Sequence, residues 1–382
     1  MPDTLETLAE FRKINDSFPY TEPIKEWKGQ GGKVVGWLCT YVPEEIIHAA
    51  GALPIRVTGG TEELMLEEAT AYLGVMLCSF ARSCLQLAID KEYDFLDGLV
   101  GVGTCEGVRH LAEVWEHYIQ TPLIYILPLP HKTHERAQEF YREELEVLKK
   151  RAEDFLGVEI SEQALSQSIA LYNRTRELLS ELYDLRKSDT PPISGTETLE
   201  VMNASAGMPR EQYNQLLERL ISEARASNRA LTGKARLMLS GSILNNPNFM
   251  ETIEDLGALV VVDELCSGIR YWIDPVDTSL DPMSALAKRY LTRFPCARMN
   301  PFEERFRRLL PVIKDFRVDG VVTRAIRYCN PYIHEQYLLR KALEKEGVPV
   351  LDLDVEYGMP GTAQIRTRVQ AFLEMILEGR DK

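Results

Sequence analysis

The chain has 382 residues, 45% of them hydrophobic and 27% charged, which suits a globular protein with two or three full apolar cores. Its formal net charge of −14 argues against nucleic acid or an anionic membrane as the principal partner. No run approaches the roughly 18 consecutive apolar residues of a membrane-spanning helix. The opening MPDTLETLAEFRKIND lacks the basic and apolar regions of a secretory signal, so the expected location is the cytoplasm.

Residues 1–32 read as an N-terminal helical segment, broken near Pro19 and Pro23. VVGWLC (34–39) and LPIRVTGG (53–60) read as strands; between them PEEIIHAAGA is a helix with Pro43 at its first turn and Gly51 near its stop. A helix containing Tyr72 to Ile89 leads to FLDGLVGVG (95–103), a helix through VRHLAEVWEHYI, and the strand LIYILPL (123–129). This alternation predicts a first α/β domain over 33–135. Residues 136–235 carry long amphipathic helices with apolar residues at i, i+3 and i+4, a helical connector or lid interrupted by a loop at 188–197. Alternation resumes over 236–382, where ARLMLSGS, ALVVVDELCSG, DGVVTRAIRYC and VPVLDLDV are strand-like. The predicted fold is α/β: two similar doubly wound, Rossmann-like domains with mainly parallel sheets, joined by the helical connector.

The two α/β halves repeat one plan. Gly51-Ala52-Leu53 before a strand matches Gly257-Ala258-Leu259, and DGLV (97–100) matches DGVV (319–322). Each of these last runs leads to a cysteine and a helix, then to a closing strand.

Seven cysteines in a cytoplasmic chain are expected as reduced thiols, and none forms a CxxC. Cys39, Cys105, Cys266 and Cys329 each lie just past an apolar run, at the strand end where open α/β sheets form their ligand crevice. Cys78 and Cys296 lie at expected helix starts, where the helix dipole favours thiolate. Three thiols from each half would then face a shared crevice. Cys84, roughly 240° around the helix from Cys78, is expected to be buried structure. A free cysteine is often only a small buried hydrophobe, but six in this arrangement point to metal. Histidine is too scarce for ordinary zinc motifs, which leaves all-thiolate iron–sulfur ligation.

VVGWLCTYVPEEIIHAAGALPIRV resembles the opening motif of the 2-hydroxyacyl-CoA dehydratase and benzoyl-CoA reductase family. CSFARSCLQLAI, GLVGVGTCEGVRHL and YCNPYIHEQYLLRKALEKEGVPVLDLDVEYG resemble its later motifs, so the resemblance runs from 33 to 370. It implies oxygen-sensitive iron–sulfur clusters in paired α/β subunits, charged with low-potential electrons by a separate ATP-hydrolysing activase, itself an iron–sulfur homodimer. Cys39, Cys78, Cys105 and Cys329 match the family's ligands to one cubane. Cys266 and Cys296 are additional. They fit the branch called double-cubane cluster proteins, where two 4Fe–4S units share a bridging sulfide and six cysteines hold the whole. That branch implies a homodimer that reduces small molecules such as acetylene, azide or hydrazine. The alternatives are a single-cubane subunit of a 2-hydroxyacyl-CoA dehydratase or benzoyl-CoA-type reductase acting on a CoA thioester beside an unlike subunit, and a non-enzymatic electron carrier or cluster store.

Glu106, Arg109 and His110, just after Cys105, are candidates for tuning a cluster or relaying protons, against the plain reading of a solvated helix face. Arg324 and Arg327 are candidates for offsetting cluster charge, whereas His334 and Glu335 read as ordinary helix residues. GVGTCEG lacks the third glycine of a dinucleotide loop, since Glu106 occupies its place, and no Walker loop is present, so ATP hydrolysis is expected on another protein.

Overall fold

The computed structural model describes residues 4–62, 64–359 and 361–380; the first three residues of the expected N-terminal segment and the last two of the expected final domain lie outside them. The chain opens with helices α1 (Thr7–Asp16) and α2 (Glu22–Gly29). Then come β1 (Val34–Trp37), α3 (Glu44–Ala49), β2 (Leu53–Arg56), α4 (Glu67–Leu73), α5 (Ser79–Ile89), β3 (Gly98–Val102), α6 (Glu106–Tyr118) and β4 (Leu123–Leu127). Helices α7 (Glu135–Leu156), α8 (Glu162–Asp184), α9 (Gly195–Ala204) and α10 (Arg210–Ala226) follow. The remainder is β5 (Ala235–Gly241), α11 (Pro247–Glu254), β6 (Ala258–Glu264), α12 (Ile269–Trp272), α13 (Pro282–Thr292), α14 (Phe302–Asp315), β7 (Gly320–Ile326), α15 (Asn330–Lys345), β8 (Val350–Val355) and α16 (Ala363–Arg380).

Among the described residues all eight strands pair in parallel, in two sheets of order β2-β1-β3-β4 and β6-β5-β7-β8. The strands read as largely apolar runs because helices cover both faces, and every residue of the inner strands β1, β3 and β7 and of the edge strand β6 is buried. The identical strand orders bear out two similar Rossmann-like units. The repeated Asp-Gly has a job in each: the Asp97 carboxylate accepts from the Val34 amide at 2.8 Å, and the Asp319 carboxylate accepts from the Arg236 amide at 2.6 Å. Each aspartate thereby fixes the start of one central strand against its neighbour. Gly51 and Gly257, at φ +77° and +92°, make the left-handed turns into β2 and β6 that a side chain would resist.

Three local expectations change. The helix expected over Tyr72–Ile89 is two helices, because Gly74 turns the chain at φ +73° and Cys78 becomes the N-cap of α5. Helix α9 grows out of the expected loop, started by a reciprocal Ser194–Glu197 capping box. Cys296 is not at a helix start: Pro295 and Pro301 bracket a turn, and α14 begins only at Phe302.

The helices between the sheets are not an isolated lid. Tyr141, Leu145 and Leu148 of α7 enter the core of the first sheet together with Leu286 and Tyr290 of α13, which comes from the second half. Leu8 and Phe11 of α1 are buried with α8, α9, α10 and one face of the second sheet. Chain segments from each half therefore complete the other's core, and the carboxyl ends of the two sheets are held in fixed relation. Among the described residues no helix is long and apolar enough to cross a membrane.

Candidate metal centre

Backbone turns deliver the cysteines. Beyond β1, Cys39 adopts a left-handed φ of +68°, a conformation that costs a non-glycine residue energy and persists only where the surroundings demand it. Cys105 and Cys329, the repeat-equivalent pair, are the N-caps of α6 and α15, each just past a central strand. Tyr328, at φ +63°, aims the second of them. Cys266 follows β6, its amide donating to the Ser242 carbonyl at 3.2 Å and so tied to the end of β5. Cys84 is fully buried in the core, as expected for a structural thiol.

The six other thiols fall into two groups, and the groups do not follow the halves. Cys78, Cys105 and Cys329 line a cavity of about 300 Å³ together with Thr104, Glu106, His131 and Arg298. Burial, followed by the charges of Cys329 and Cys105, pushes the Cys78 thiol up to about 12. At the start of α5 the Ala81 amide favours the thiolate, but burial opposes it more strongly. Cys39 reaches Thr104 and Arg298 of that cavity and has further thiol neighbours besides. Its thiol is raised by burial and then by Cys266 and Cys296. Cys329 in turn feels both Cys105 and Cys266, so the groups adjoin. Each triad draws cysteines from both halves, and the expectation of three from each gives way. Gly107 lies against the first triad: a Cβ there would make ordinary contact with the Cys78 sulfur at 3.4 Å.

Cations accompany the thiols, and these the sequence reading missed. Arg298 Nη2 stands 3.7 Å from the Cys329 sulfur, and Arg270 Nη2 stands 3.4 Å from the Cys266 sulfur. The two guanidiniums lie 5.5 and 5.4 Å from the centre of the same Tyr332 ring. Burial works against the Cys296 thiolate, but Arg298 and Arg270 outweigh it and hold this thiol below its usual value. Tyr41 also donates to the Cys296 sulfur, at 3.7 Å. The available signal was local spacing: Arg298 is two residues after Cys296, and Arg270 four after Cys266.

Other candidates separate. Arg109 and His110 both turn to Glu113, at 2.9 Å each, on the exposed side of α6; Glu106 stays at the cavity rim. Arg324 is buried but donates to the Ile243 carbonyl at 2.8 Å and lies over Phe249. Arg327 pairs with Glu356 at 3.2 Å on a half-exposed face. Exposed His334 is an ordinary helix residue, but Glu335 is not: it is buried and paired with Arg305. His131, which lines the cavity, went unnoticed because it lies in the loop after β4, far in sequence from any cysteine.

The acidic pair after Pro43 clamps the helical region. Glu44 accepts from Arg210 at 2.8 Å and from Tyr271 at 2.7 Å; Glu45 accepts from Arg176 at 2.5 Å and from Tyr290 at 2.7 Å. Burial would raise the Glu45 carboxyl, but Arg176 and Arg289 outweigh it and hold it below the ordinary 4.5. Below 4.5 the unfolded chain takes up this proton more readily than the folded one. The pair's contribution is therefore complete above that value and is lost as pH falls through the lower folded value. Urea midpoints should drop on acidification below about 4.5, with a shallower acid limb in Glu45→Gln. Identical acid limbs would contradict this.

Two parallel sheets whose carboxyl ends gather six thiols, in two adjoining groups with an arginine beside each, define a two-unit α/β protein with a thiol-rich centre. The chain belongs to the family described as 2-hydroxyglutaryl-CoA dehydratase, D-component, whose model matches residues 39–376. It is 26% identical to one of the benzoyl-CoA reductase subunits of Thauera aromatica over 98% of both chains. It is 26% identical to the lactoyl-CoA dehydratase beta subunit of Anaerotignum propionicum, covering 92% of this chain and 94% of that one. With the (R)-2-hydroxyglutaryl-CoA dehydratase beta subunit of Acidaminococcus fermentans the identity is 25%, over 97% and 98%.

Proposed function

We propose that this chain is an oxygen-sensitive iron–sulfur reductase component in which Cys39, Cys78, Cys105, Cys266, Cys296 and Cys329 hold a double-cubane cluster. The donor set fits: it consists of thiols, it is largely buried, and an arginine stands beside each triad to offset negative charge. Among the described residues no three His, Cys, Asp or Glu side chains converge on a single metal ion. A polynuclear cluster does not need such convergence, since each thiolate takes a different iron.

One observation carries the choice of two cubanes over one. A single cubane held by Cys39, Cys78, Cys105 and Cys329 would leave Cys266 and Cys296 idle, yet both act on the Cys39 thiol and Arg270 stands 3.4 Å from the Cys266 sulfur. The cluster, when bound, supplies storage and delivery of electrons at very low potential. The chain's own residues bury four of the six thiols, orient them from strand ends and helix caps, and place Arg298 and Arg270 against them. An ATP-hydrolysing activase on another protein would supply the electrons. The assembly would be a cytoplasmic homodimer acting on small molecules.

The second reading is a single-cubane subunit acting on a CoA thioester beside an unlike subunit, which the names of the relatives favour. Anaerobic purification of Cys266→Ala and Cys296→Ala separates the two. Loss of iron and acid-labile sulfide in both variants is expected, and the complete wild-type content in both would sink the double-cubane reading.

A further inference from the structure

Arg298, half-buried, stands against a thiol without the carboxylate that accompanies Arg270 at the other one. Arg270 is paired with Glu264 at 2.5 Å, and Arg305 with Glu264 and Glu335. Arg324 donates to the Ile243 carbonyl but leaves its Nε and Nη2 buried without partners, and no thiol lies within its hydrogen-bond reach. Arg298 has no carboxylate partner among the described residues; its side-chain hydrogen bond runs to the Cys329 sulfur, and its Nε is buried without a partner. It lines the cavity of Cys78, Cys105 and Cys329, while sitting two residues from Cys296 of the other triad. Stacking on Tyr332, itself 5% exposed, fixes the guanidinium between them. A cation withdrawn from water without a counter-ion is costly, and that cost is offset only when negative charge arrives beside it.

We propose that Arg298 is a positioning residue that sets the reduction potential of the cysteine-held centre. Resting on the iron–sulfur reading above, the assignment is that its guanidinium offsets the charge each incoming electron adds at the junction of the triads. The reduced centre carries one more negative charge per electron, so a nearby fixed cation stabilises it over the oxidised one and raises the potential. Arginine suits this place because it stays protonated when desolvated and still stacks on an aromatic ring.

The test uses the full chain purified anaerobically as wild type, Arg298→Gln and Arg298→Lys. Iron and acid-labile sulfide are counted in each, and midpoint potentials are measured by redox titration followed by electron paramagnetic resonance. The expected result is a lower, more negative midpoint in Arg298→Gln and a near-wild-type midpoint in Arg298→Lys, which keeps the charge. A fully loaded Arg298→Gln with the wild-type midpoint overturns the proposal. If Arg298→Gln fails to load, Arg298→Lys decides. Loading with a near-wild-type midpoint supports a role for the charge. Failure to load as well means the residue only shapes the turn, and overturns it. A wild-type chain without iron defeats the iron–sulfur reading itself, a result separate from any shift between variants.

Discussion

Glu264→Ala is expected to destabilise the chain by about 3–5 kcal/mol, the usual consequence of removing one partner from a buried ion pair. Glu264, at the end of β6, is fully buried and accepts from Arg270 at 2.5 Å, Arg305 at 2.5 Å and Ser240 at 2.8 Å. Its burial opposes ionisation, but Arg270 and Arg305 outweigh that and hold the carboxyl below its usual range. Without it Arg305 keeps Glu335, whereas Arg270 keeps only backbone carbonyls and the Cys266 sulfur. Urea unfolding followed by circular dichroism measures the loss. A change under about 1 kcal/mol would mean that the network relaxes and that Glu264 is not what holds Arg270 in place. Because Arg270 reaches Cys266, the same variant should also bind less iron.

The second large effect concerns the grouping of the thiols. Cys78→Ala and Cys105→Ala should each remove the centre held by their triad, leaving about half the wild-type iron and one shared residual spectrum. Cys39→Ala and Cys296→Ala should also leave about half, with a second residual spectrum distinct from the first. The structural basis is that Cys78, Cys105 and Cys329 line one cavity, whereas the thiols acting on Cys39 are Cys266 and Cys296. Electron paramagnetic resonance of the reduced variants reads the outcome. If Cys39→Ala instead matches Cys78→Ala and Cys105→Ala, the thiols group by halves of the chain and the crossed arrangement is wrong.

Much of the fold was legible because parallel strands covered on both faces leave continuous apolar runs, and because the repeat marks them twice. Asp97 and Asp319 could be paired from sequence since each fixes the same strand start. Cys105 and Cys329 could be paired since each caps the helix after a central strand. The crossed triads could not be read this way, because they depend on how the two sheets face each other. Cys39 has no counterpart after β5, where Ser242 stands, so the repeat offered no guide to its neighbours. Glu335 looked like a surface residue because its partner Arg305 is 30 residues away on another helix. Arg298 was hidden for a related reason. Its meaning lies in the carboxylate it lacks, and a missing partner leaves no mark on local sequence. The turn at Cys296 was read as a helix start because a helical segment follows it, but Pro295 and Pro301 bracket a turn and the helix begins at Phe302.

The most direct measurement of the central claim is the iron and acid-labile sulfide content of the intact chain, purified without oxygen and referred to protein by amino-acid analysis. Two cubanes joined through a shared sulfide predict about eight irons and about nine sulfides per chain. A reproducible content of about four irons and about four sulfides would contradict it. Cys266 and Cys296 would then be bystanders, and the chain a single-cubane subunit like the alternative.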